Sequence, residues 1–210
     1  MTPKYRLVFF DVDSTLVTIE GIDVLAGGNP EVATLTEAAM NGEIPLDQVY
    51  ARRLEMIRPT RDAVAKLAQL YVDSLVDGAR ATLVALKKAG CIIHLVTAGI
   101  EQAVTSLGLE LGVKVHAVAL QFTESGEYKD FDRRSQLTRP GGKEIVVRDV
   151  RSRTHGKAAF VGDGVSDLEA KPAVDLFIGF GGVHLRPRVR DNADVFVRGP
   201  RLDDVLPHLI

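Results

Sequence analysis

Four short apolar runs, separated by segments with helical patterning, constrain the fold of this 210-residue chain most strongly. The runs are RLVFF (6–10), CIIHLVT (91–97), KAAFVG (157–162) and VDLFIGF (174–180). Continuous apolar runs of this kind are typical of strands that are buried on both faces. The helical segments are DGARATLVALKKAG (77–90), GIEQAVTSLGLELG (99–112) and KEIVVRDV (143–150). Strands alternating with helices predict an α/β fold with a doubly wound parallel sheet.

Residues 20–75 interrupt this alternation with four consecutive amphipathic segments, which Gly or Pro residues separate. Apolar side chains recur there at helical spacing. They are Leu46, Val49, Tyr50, Leu54 and Ile57, and then Val64, Leu67, Leu70 and Tyr71. The pattern predicts a helical insert after the first strand, and the sheet resumes near residue 77. The segment LQFTESGEYKDF (120–131) predicts a β-hairpin with Gly126 in its turn.

Composition and charge limit the class of partner. The formal net charge is −2 and the pI is about 6.2, which argues against nucleic acid or an anionic membrane as the main partner. Cys91 is the single cysteine, and its apolar surroundings predict a buried thiol in a reducing compartment. The N-terminal segment reaches Asp11 too soon for a signal peptide, and no run approaches membrane-spanning length. We therefore expect a cytoplasmic protein of unknown oligomeric state.

The first apolar run ends in two acids, within the stretch FFDVDSTL (9–16). Residues i and i+2 of a strand point to the same side, so Asp11 and Asp13 should face one crevice. Doubly wound sheets bind ligands there, outside the carboxyl ends of their strands. Two neighbouring anions are unfavourable unless a cation lies between them or one of them takes a proton. A polar loop with helix-capping residues accounts for this stretch alone equally well.

The ends of other predicted elements favour a shared site. Asp163 and Asp167 follow the third run, and carboxylates at this position suit an oxygen-liganded cation such as Mg²⁺. Thr97 follows the second run and precedes a helix N-terminus, where backbone amides can hold a phosphate. Lys143 opens a predicted helix, and a cation there is unfavourable unless it has an anionic partner. Thr97 and Lys143 taken singly are typical of structural or surface positions, but together with the acids they predict one site.

This set of groups suits phosphoryl transfer. A carboxylate can attack phosphorus and form an aspartyl phosphate, which divides a difficult displacement into two steps. Magnesium and a lysine offset the phosphoryl charge, and a hydroxyl and amides orient its oxygens. A second carboxylate protonates the departing alcohol and then activates water. Asp11 and Asp13 are the candidates for these two roles.

The motifs FFDVDSTL, VTAG, GGK and GDGVSD, in this order, resemble the four motifs of the haloacid dehalogenase-like phosphatases. Within that superfamily, four further segments are similar to the family that acts on phosphoserine. They are VDSTLVTIEGIDVLA, AAMNGEIPL, RLEMIRPTRD and FIGFGGVHLRPRVRDNA. The resemblance covers nearly the whole chain. It implies Mg²⁺-dependent hydrolysis of a small phosphomonoester, O-phospho-L-serine, as the last step of serine biosynthesis.

The resemblance also implies a role for each matching residue. Asp11 would be the nucleophile and Asp13 the general acid/base, while Thr97 and Lys143 would hold the phosphoryl group. Magnesium would be bound by the Asp11 side chain, the Asp13 backbone carbonyl and Asp163, with support from Asp167. The implied organisation is a Rossmann-like core of residues 1–14 and 77–210 with a helical cap at 15–76. The substrate contacts implied are Glu20 to the ammonium and Arg53 to the carboxylate. Met40 and Asn41 match backbone-contact positions, Ser166 matches a hydroxyl near the metal loop, and Ala98 and Gly99 belong to the phosphate-binding turn.

Two departures from the family pattern bear on substrate selectivity. The phosphate-binding turn, usually Ser-Gly-Gly, is Thr97–Ala98–Gly99 here, and Leu46 replaces a phenylalanine common in the cap.

Two alternatives remain open. One is a signalling receiver domain, which stores a phosphoryl group on an aspartate; the helical insert and Asp13 argue against it. The other is a related phosphatase for phosphothreonine, phosphohomoserine or phosphoethanolamine. Glu20 together with Arg53 favours an ester that carries both an ammonium and a carboxylate.

Overall fold

The structure is a computed structural model that describes residues 3–210, so residues 1 and 2 of the predicted core segment lie outside it. The strands are β1 (Leu7–Phe10), β2 (Ile92–Ile100), β3 (Lys114–Val118), β4 (Leu120–Phe122), β5 (Tyr128–Phe131), β6 (Ala158–Gly162), β7 (Leu176–Phe180) and β8 (Val195–Val197). The helices are α1 (Gly21–Leu25), α2 (Pro30–Met40), α3 (Leu46–Ile57), α4 (Arg61–Asp73), α5 (Ala79–Lys88), α6 (Glu101–Leu111), α7 (Gly142–Ser152), α8 (Val165–Leu168), α9 (Pro187–Asn192) and α10 (Leu206–Leu209).

Six of the strands form one parallel sheet with the order β3-β2-β1-β6-β7-β8. The strand order reverses at β1, which pairs with β2 on one side and with β6 on the other. Every residue of β1 and β6 is buried, as their unbroken apolar sequences require. The predicted α/β fold with a doubly wound parallel sheet is confirmed, and its switch point lies at the carboxyl ends of β1 and β6.

The four apolar runs correspond to β1, β2, β6 and β7, but β3 and β8 were not predicted. These two are the edge strands, and most of their residues are only partly buried. The predicted hairpin is present as the antiparallel pair β4 and β5, with Gly126 at φ 87° in its turn.

Four helices, α1 to α4, occupy the interrupting segment, as its spacing predicts. Local capping explains two of the helix starts. The Asn29 side chain accepts a hydrogen bond from the Glu31 amide ahead of α2, and the Thr60 hydroxyl accepts one from the Ala63 amide ahead of α4. The predicted apolar face of α4 needs one correction, because Leu70 is 42% exposed.

The two ends of this insert lie side by side. Val17 and Leu75 form an isolated antiparallel bridge, and the Val76 amide donates to the Leu16 carbonyl at 3.0 Å. Within the insert, α4 packs along α6, which follows β2, and apolar residues of both helices belong to the main core. Among residues 3–210, no helix has the length and apolar character needed to cross a bilayer.

Candidate active site

A cavity lies at the carboxyl end of β1, between the sheet and the insert helices. Asp11 and Asp13, which follow β1 directly, are 2% and 9% exposed and both line it. The predicted residues that line this cavity are Asp11, Asp13, Glu20, Met40, Arg53, Thr97, Ala98, Gly99, Lys143 and Ser166. Leu46, at one of the departures from the family pattern, also lines it.

Three predicted residues lie outside the cavity lining. Asp163 and Asp167 are buried beside Asp11, and one carboxylate oxygen of each of the three lies within 4.8 Å of the others. The Asn41 side chain contacts a protein group, since its Oδ1 accepts a hydrogen bond from Arg186 Nη1 at 3.0 Å.

Lys143 links two of the buried acids from the first turn of α7. Its Nζ lies 2.7 Å from Asp11 Oδ1 and 2.5 Å from Asp167 Oδ1. Burial by itself would lower the pKa of Lys143, but the charges of Asp11 and Asp167 outweigh it and raise this pKa above its ordinary value. The lysine therefore stays charged, and these acids are the anionic partners that its position at a helix N-terminus requires.

Asp163, at the end of β6, is held by two donors. Its Oδ1 accepts a hydrogen bond from Thr15 Oγ1 at 2.8 Å, and its Oδ2 accepts one from Arg186 Nε at 3.2 Å. Burial, followed by the charge of Asp167, raises the pKa of Asp163 to about 7. Asp167 is fixed from the other side, because its Oδ2 accepts a hydrogen bond from the Gly164 amide at 2.9 Å.

These acids fit a divalent cation. Burial, then the charge of Asp167, raises the pKa of Asp11 well above its usual range, which reflects an excess of buried negative charge. Asp11 Oδ1 is buried and, within residues 3–210, has no well-aligned hydrogen-bond donor, although Lys143 lies close to it. Three carboxylates that converge in this way form the oxygen donor set that Mg²⁺ prefers.

Asp13 has unequal oxygen atoms. Its Oδ1 accepts hydrogen bonds from the Gly21 amide at 2.7 Å and from the Tyr71 hydroxyl at 2.8 Å. Its Oδ2 accepts only a long hydrogen bond, 3.4 Å, from Thr97 Oγ1 among the described side chains. Burial raises the pKa of Asp13, and the Gly21 and Tyr71 hydrogen bonds oppose that rise.

The predicted phosphate-binding turn lies in an irregular part of β2. The pairing of β2 with β3 shifts its register between Val96 and Ile100, so residues 97–99 leave the regular ladder just before α6 begins. Thr97 Oγ1 accepts a hydrogen bond from the Gly99 amide at 2.9 Å, and the Tyr50 hydroxyl donates to the Ala98 carbonyl at 2.9 Å. The turn is thus held by its own threonine and by one insert side chain.

An acidic and a basic side chain, Glu20 and Arg53, line the insert side of the cavity. Glu20 Oε1 accepts a hydrogen bond from Ser14 Oγ at 2.5 Å, and Ser14 has a left-handed backbone with φ 55°. Burial, then the charges of Asp13 and Asp163, raises the pKa of Glu20 well above its usual range.

Arg53 is the buried cation of the same cavity. It is 6% exposed, its Nη1 donates to Thr36 Oγ1 at 3.2 Å, and its buried Nε has no partner among the residues described. A buried guanidinium with an unused donor can bind a ligand carboxylate.

Several polar residues of the site were not predicted as site residues. The helical spacing places Tyr71 and Tyr50 on apolar helix faces, and Thr15 and Arg186 lie inside segments that resemble the family motifs. Position within a motif was the only available signal for the last two, because their partners come from distant elements.

Comparison with known proteins agrees with this geometry. A family model described as haloacid dehalogenase-like hydrolase matches residues 5–174. The mouse (Mus musculus) protein "Phosphoserine phosphatase" is 36% identical over 197 residues, which cover 90% of this chain and 88% of that protein.

Solved structures agree as well. One described as a phospho-aspartyl intermediate analogue of phosphoserine phosphatase superposes with a TM-score of 0.88 at 25% identity, covering 99% of this chain and 100% of the other. A substrate-bound phosphoserine phosphatase complex has the same TM-score and identity, covering 99% of each chain. The chain therefore belongs to the haloacid dehalogenase-like hydrolases and, within them, to the phosphoserine phosphatase family.

Proposed function

We propose that this protein hydrolyses O-phospho-L-serine to L-serine and phosphate through an aspartyl phosphate on Asp11, as the last step of serine biosynthesis. It is a phosphoric monoester hydrolase, as its family membership requires. We further propose a core of residues 1–14 and 77–210 and a cap of residues 15–76. The bridge between Val17 and Leu75, where the chain leaves and rejoins the core, supports this division.

Asp11 acts in the first step as the nucleophile. Its carboxylate attacks phosphorus, the bond between phosphorus and the serine oxygen breaks, and Asp13 transfers its proton to that oxygen. In the second step Asp13 takes a proton from water as the water oxygen attacks phosphorus. The bond to Asp11 then breaks and phosphate leaves. A buried Asp13 with a raised pKa is suited to carry a proton in the first step.

Lys143 and Thr97 would hold the phosphoryl group between Asp11 and the turn at residues 97–99. The lysine is already fixed by two carboxylates, so no reorganisation is needed when phosphoryl charge arrives. Mg²⁺, held by Asp11, Asp163, Asp167 and the Asp13 carbonyl, would supply the positive charge that offsets the phosphoryl oxygens. Three of these four ligands are the converging carboxylates of the site.

Recognition of the serine moiety rests on one observation above the others. Arg53 is buried at the cavity, its Nε has no partner in the part of the chain that the structure describes, and Glu20 lines the same cavity. A phosphorylated amino acid has a carboxylate for the first group and an ammonium for the second. Met40 and Ser166 also line the cavity and are proposed as further contacts. The proposed backbone contact with Asn41 rests on the family resemblance.

Initial-rate hydrolysis of phosphoserine, phosphothreonine, phosphohomoserine and phosphoethanolamine, with and without Mg²⁺, tests this function. We expect the highest kcat/KM for phosphoserine, multiple turnovers, and loss of activity when Mg²⁺ is chelated. Asp11→Asn should abolish turnover while the urea unfolding transition remains cooperative. A preference for another ester would contradict the substrate, and a single turnover would support a receiver domain.

The remaining predictions from the sequence are a cytoplasmic location and the absence of nucleic-acid and membrane partners. The buried free thiol of Cys91 is compatible with a reducing compartment.

A further inference from the structure

Tyr71 is a buried tyrosine of α4 whose hydroxyl has no role in the proposed chemistry, yet it contacts a reacting group. It is 1% exposed, and its hydroxyl donates a hydrogen bond to Asp13 Oδ1 at 2.8 Å. The Gly21 amide donates to the same oxygen at 2.7 Å. Two short hydrogen bonds from donors that keep their protons therefore occupy Oδ1.

The other oxygen of Asp13 is oriented toward the phosphate-binding turn. Oδ2 accepts only the 3.4 Å hydrogen bond from Thr97 Oγ1 among the described side chains. A Cβ added at Gly99 would lie 3.1 Å from this Oδ2, so the oxygen lies close against the turn. Oδ2 is consequently the oxygen of Asp13 that can carry a proton, and it faces the side where the phosphoryl group is proposed to bind.

Gly21 provides independent support, because the first residue of α1 leaves room for the tyrosine hydroxyl. A Cβ at Gly21 would lie 2.0 Å from the Tyr71 hydroxyl oxygen and 2.8 Å from its Cζ. Gly21 is not among the residues with positive φ, so close approach explains this glycine and backbone conformation does not. The same residue thus donates its amide to Asp13 and makes space for the second donor.

Helix α4 is a firm support for this hydroxyl. Val64 and Leu67 of α4 are buried, and the helix packs along α6, whose Val104 and Leu107 are fully buried. Burial, then the charge of Asp13, raises the pKa of Tyr71 well above its ordinary value, so the phenol remains a donor. A side chain locked by packing is the kind of group that can fix the geometry of a reacting one.

We infer that Tyr71 is a positioning residue. Its hydroxyl, together with the Gly21 amide, holds Asp13 so that Oδ2 exchanges the proton first with the serine oxygen and then with water. The inference rests on the proposed function. In the first step the Oδ2 proton passes to the serine oxygen as the bond from that oxygen to phosphorus breaks. In the second step Oδ2 receives a proton from water as the water oxygen bonds to phosphorus. Tyr71 keeps its own proton throughout.

Tyr71→Phe tests the inference, with phosphoserine and p-nitrophenyl phosphate as substrates. Serine is a poor leaving group that needs a proton, whereas nitrophenolate leaves without one. General acid–base catalysis typically contributes about 10²–10⁴-fold, so partial loss of positioning should lower kcat for phosphoserine at least about tenfold. KM should change little, because Tyr71 is not proposed to contact the serine moiety.

With phosphoserine, both steps use the Asp13 proton. With p-nitrophenyl phosphate, only hydrolysis of the aspartyl phosphate uses it, so in Tyr71→Phe the intermediate should still form at a rate close to wild type while its hydrolysis slows. Rapid mixing of Tyr71→Phe should then give a burst of nitrophenolate close to one equivalent per enzyme. A structural defect would lower the burst and the steady-state rate together.

Tyr128→Phe is the matched control. Tyr128 is 2% exposed, and its buried hydroxyl has no hydrogen-bond partner in the described part of the chain, so the same atom is removed without loss of a contact. Its kinetics should match the wild type. Gly21→Ala is the second variant: a methyl at that position displaces the Tyr71 hydroxyl, and the same burst and kcat pattern should follow.

The outcomes separate the inference from the function on which it rests. If the wild-type protein does not turn over phosphoserine, the proposed function fails and the inference fails with it. If the wild type is active and Tyr71→Phe has the same kcat, only the inference is overturned. Equal losses on both substrates without a burst would also overturn it, because they indicate a general structural effect.

Discussion

Replacing Arg53 with methionine should separate phosphoserine from esters that lack a carboxylate. Methionine keeps an unbranched apolar stem and removes the guanidinium. Arg53 is 6% exposed, and its Nε has no hydrogen-bond partner within residues 3–210, so a substrate carboxylate can form charge-assisted hydrogen bonds to it away from bulk solvent. Such bonds contribute about 1.5–3 kcal/mol each. Two of them, in the bidentate geometry of a guanidinium, give at least about 3 kcal/mol, or more than about 100-fold in kcat/KM.

The assay compares kcat/KM of wild type and Arg53→Met on phosphoserine and on phosphoethanolamine, which has the ammonium but no carboxylate. The ratio of the two losses isolates the contact between the guanidinium and the carboxylate. Arg52→Met is the matched control, because the Arg52 side chain is 59% exposed and pairs with Glu31 at the surface. A surface pair of this kind contributes at most about 1 kcal/mol to stability, so both kinetic constants should stay near wild type.

Equal losses on the two substrates would refute this reasoning, since they would show that Arg53 supports the cavity as a whole. Urea unfolding of Arg53→Met tests separately whether the substitution destabilises the fold. Among the residues described, Arg53 has one side-chain hydrogen bond, to Thr36, so its removal should change the free energy of unfolding by only about 1–2 kcal/mol.

Two further predictions concern stability. Lys143→Met should destabilise the protein by about 3–5 kcal/mol at pH 8, because it leaves Asp11 and Asp167 buried without their cation. The deficit should shrink toward pH 5, since the raised pKa of Asp11 lets it take a proton; urea unfolding at the two pH values checks this, and an unchanged deficit would contradict it. Burial, then His116, lowers the pKa of His94 to about 4, so its unfolded form binds more protons below pH 6.5 and stability falls as pH drops from 6.5 to 4. His94→Leu should remove about 2 kcal/mol of that fall, and acid titrations of unfolding with identical slopes would argue against the effect.

The sheet and the insert could be predicted from sequence because each depends on a local pattern. Unbroken apolar runs identify strands buried on both faces, and helical spacing identifies α1 to α4. The edge strands β3 and β8 lack this signal for different reasons. The apolar sequence of β3 is interrupted by Lys114 and His116, and β8 is only three residues long. Leu70 shows that a local pattern can also predict too much burial. Helical spacing places it near the apolar face of α4, but in the folded structure it is exposed.

The site was predictable where the chemistry requires charge at an element end. Asp11, Asp13 and Lys143 could be predicted in this way, because a buried charge, or a cation at the positive end of a helix dipole, needs a partner of opposite charge. Tyr71 gives no such signal, because a tyrosine on an apolar helix face is explained by burial alone. Its hydrogen bond to Asp13 spans 58 residues, and only the packing of α4 on the core creates it. Contacts between residues so far apart in the chain depend on tertiary structure and produce no recognisable local sequence pattern.

The two sides of the insert are attached to the rest of the molecule in different ways, and this determines how a substrate can reach the cavity. Helix α4 is bound to α6 through apolar side chains, whereas the C-terminal end of α2 has polar contacts, from Arg186 to Glu37 and to Asn41, at 3.1 and 3.0 Å. Water can replace the second kind of contact at little cost in free energy, but it cannot replace the first. Phosphoserine should therefore enter past the C-terminal end of α2, and its association rate should change with the ionic strength of the solution, because salt screens the charged groups at that end.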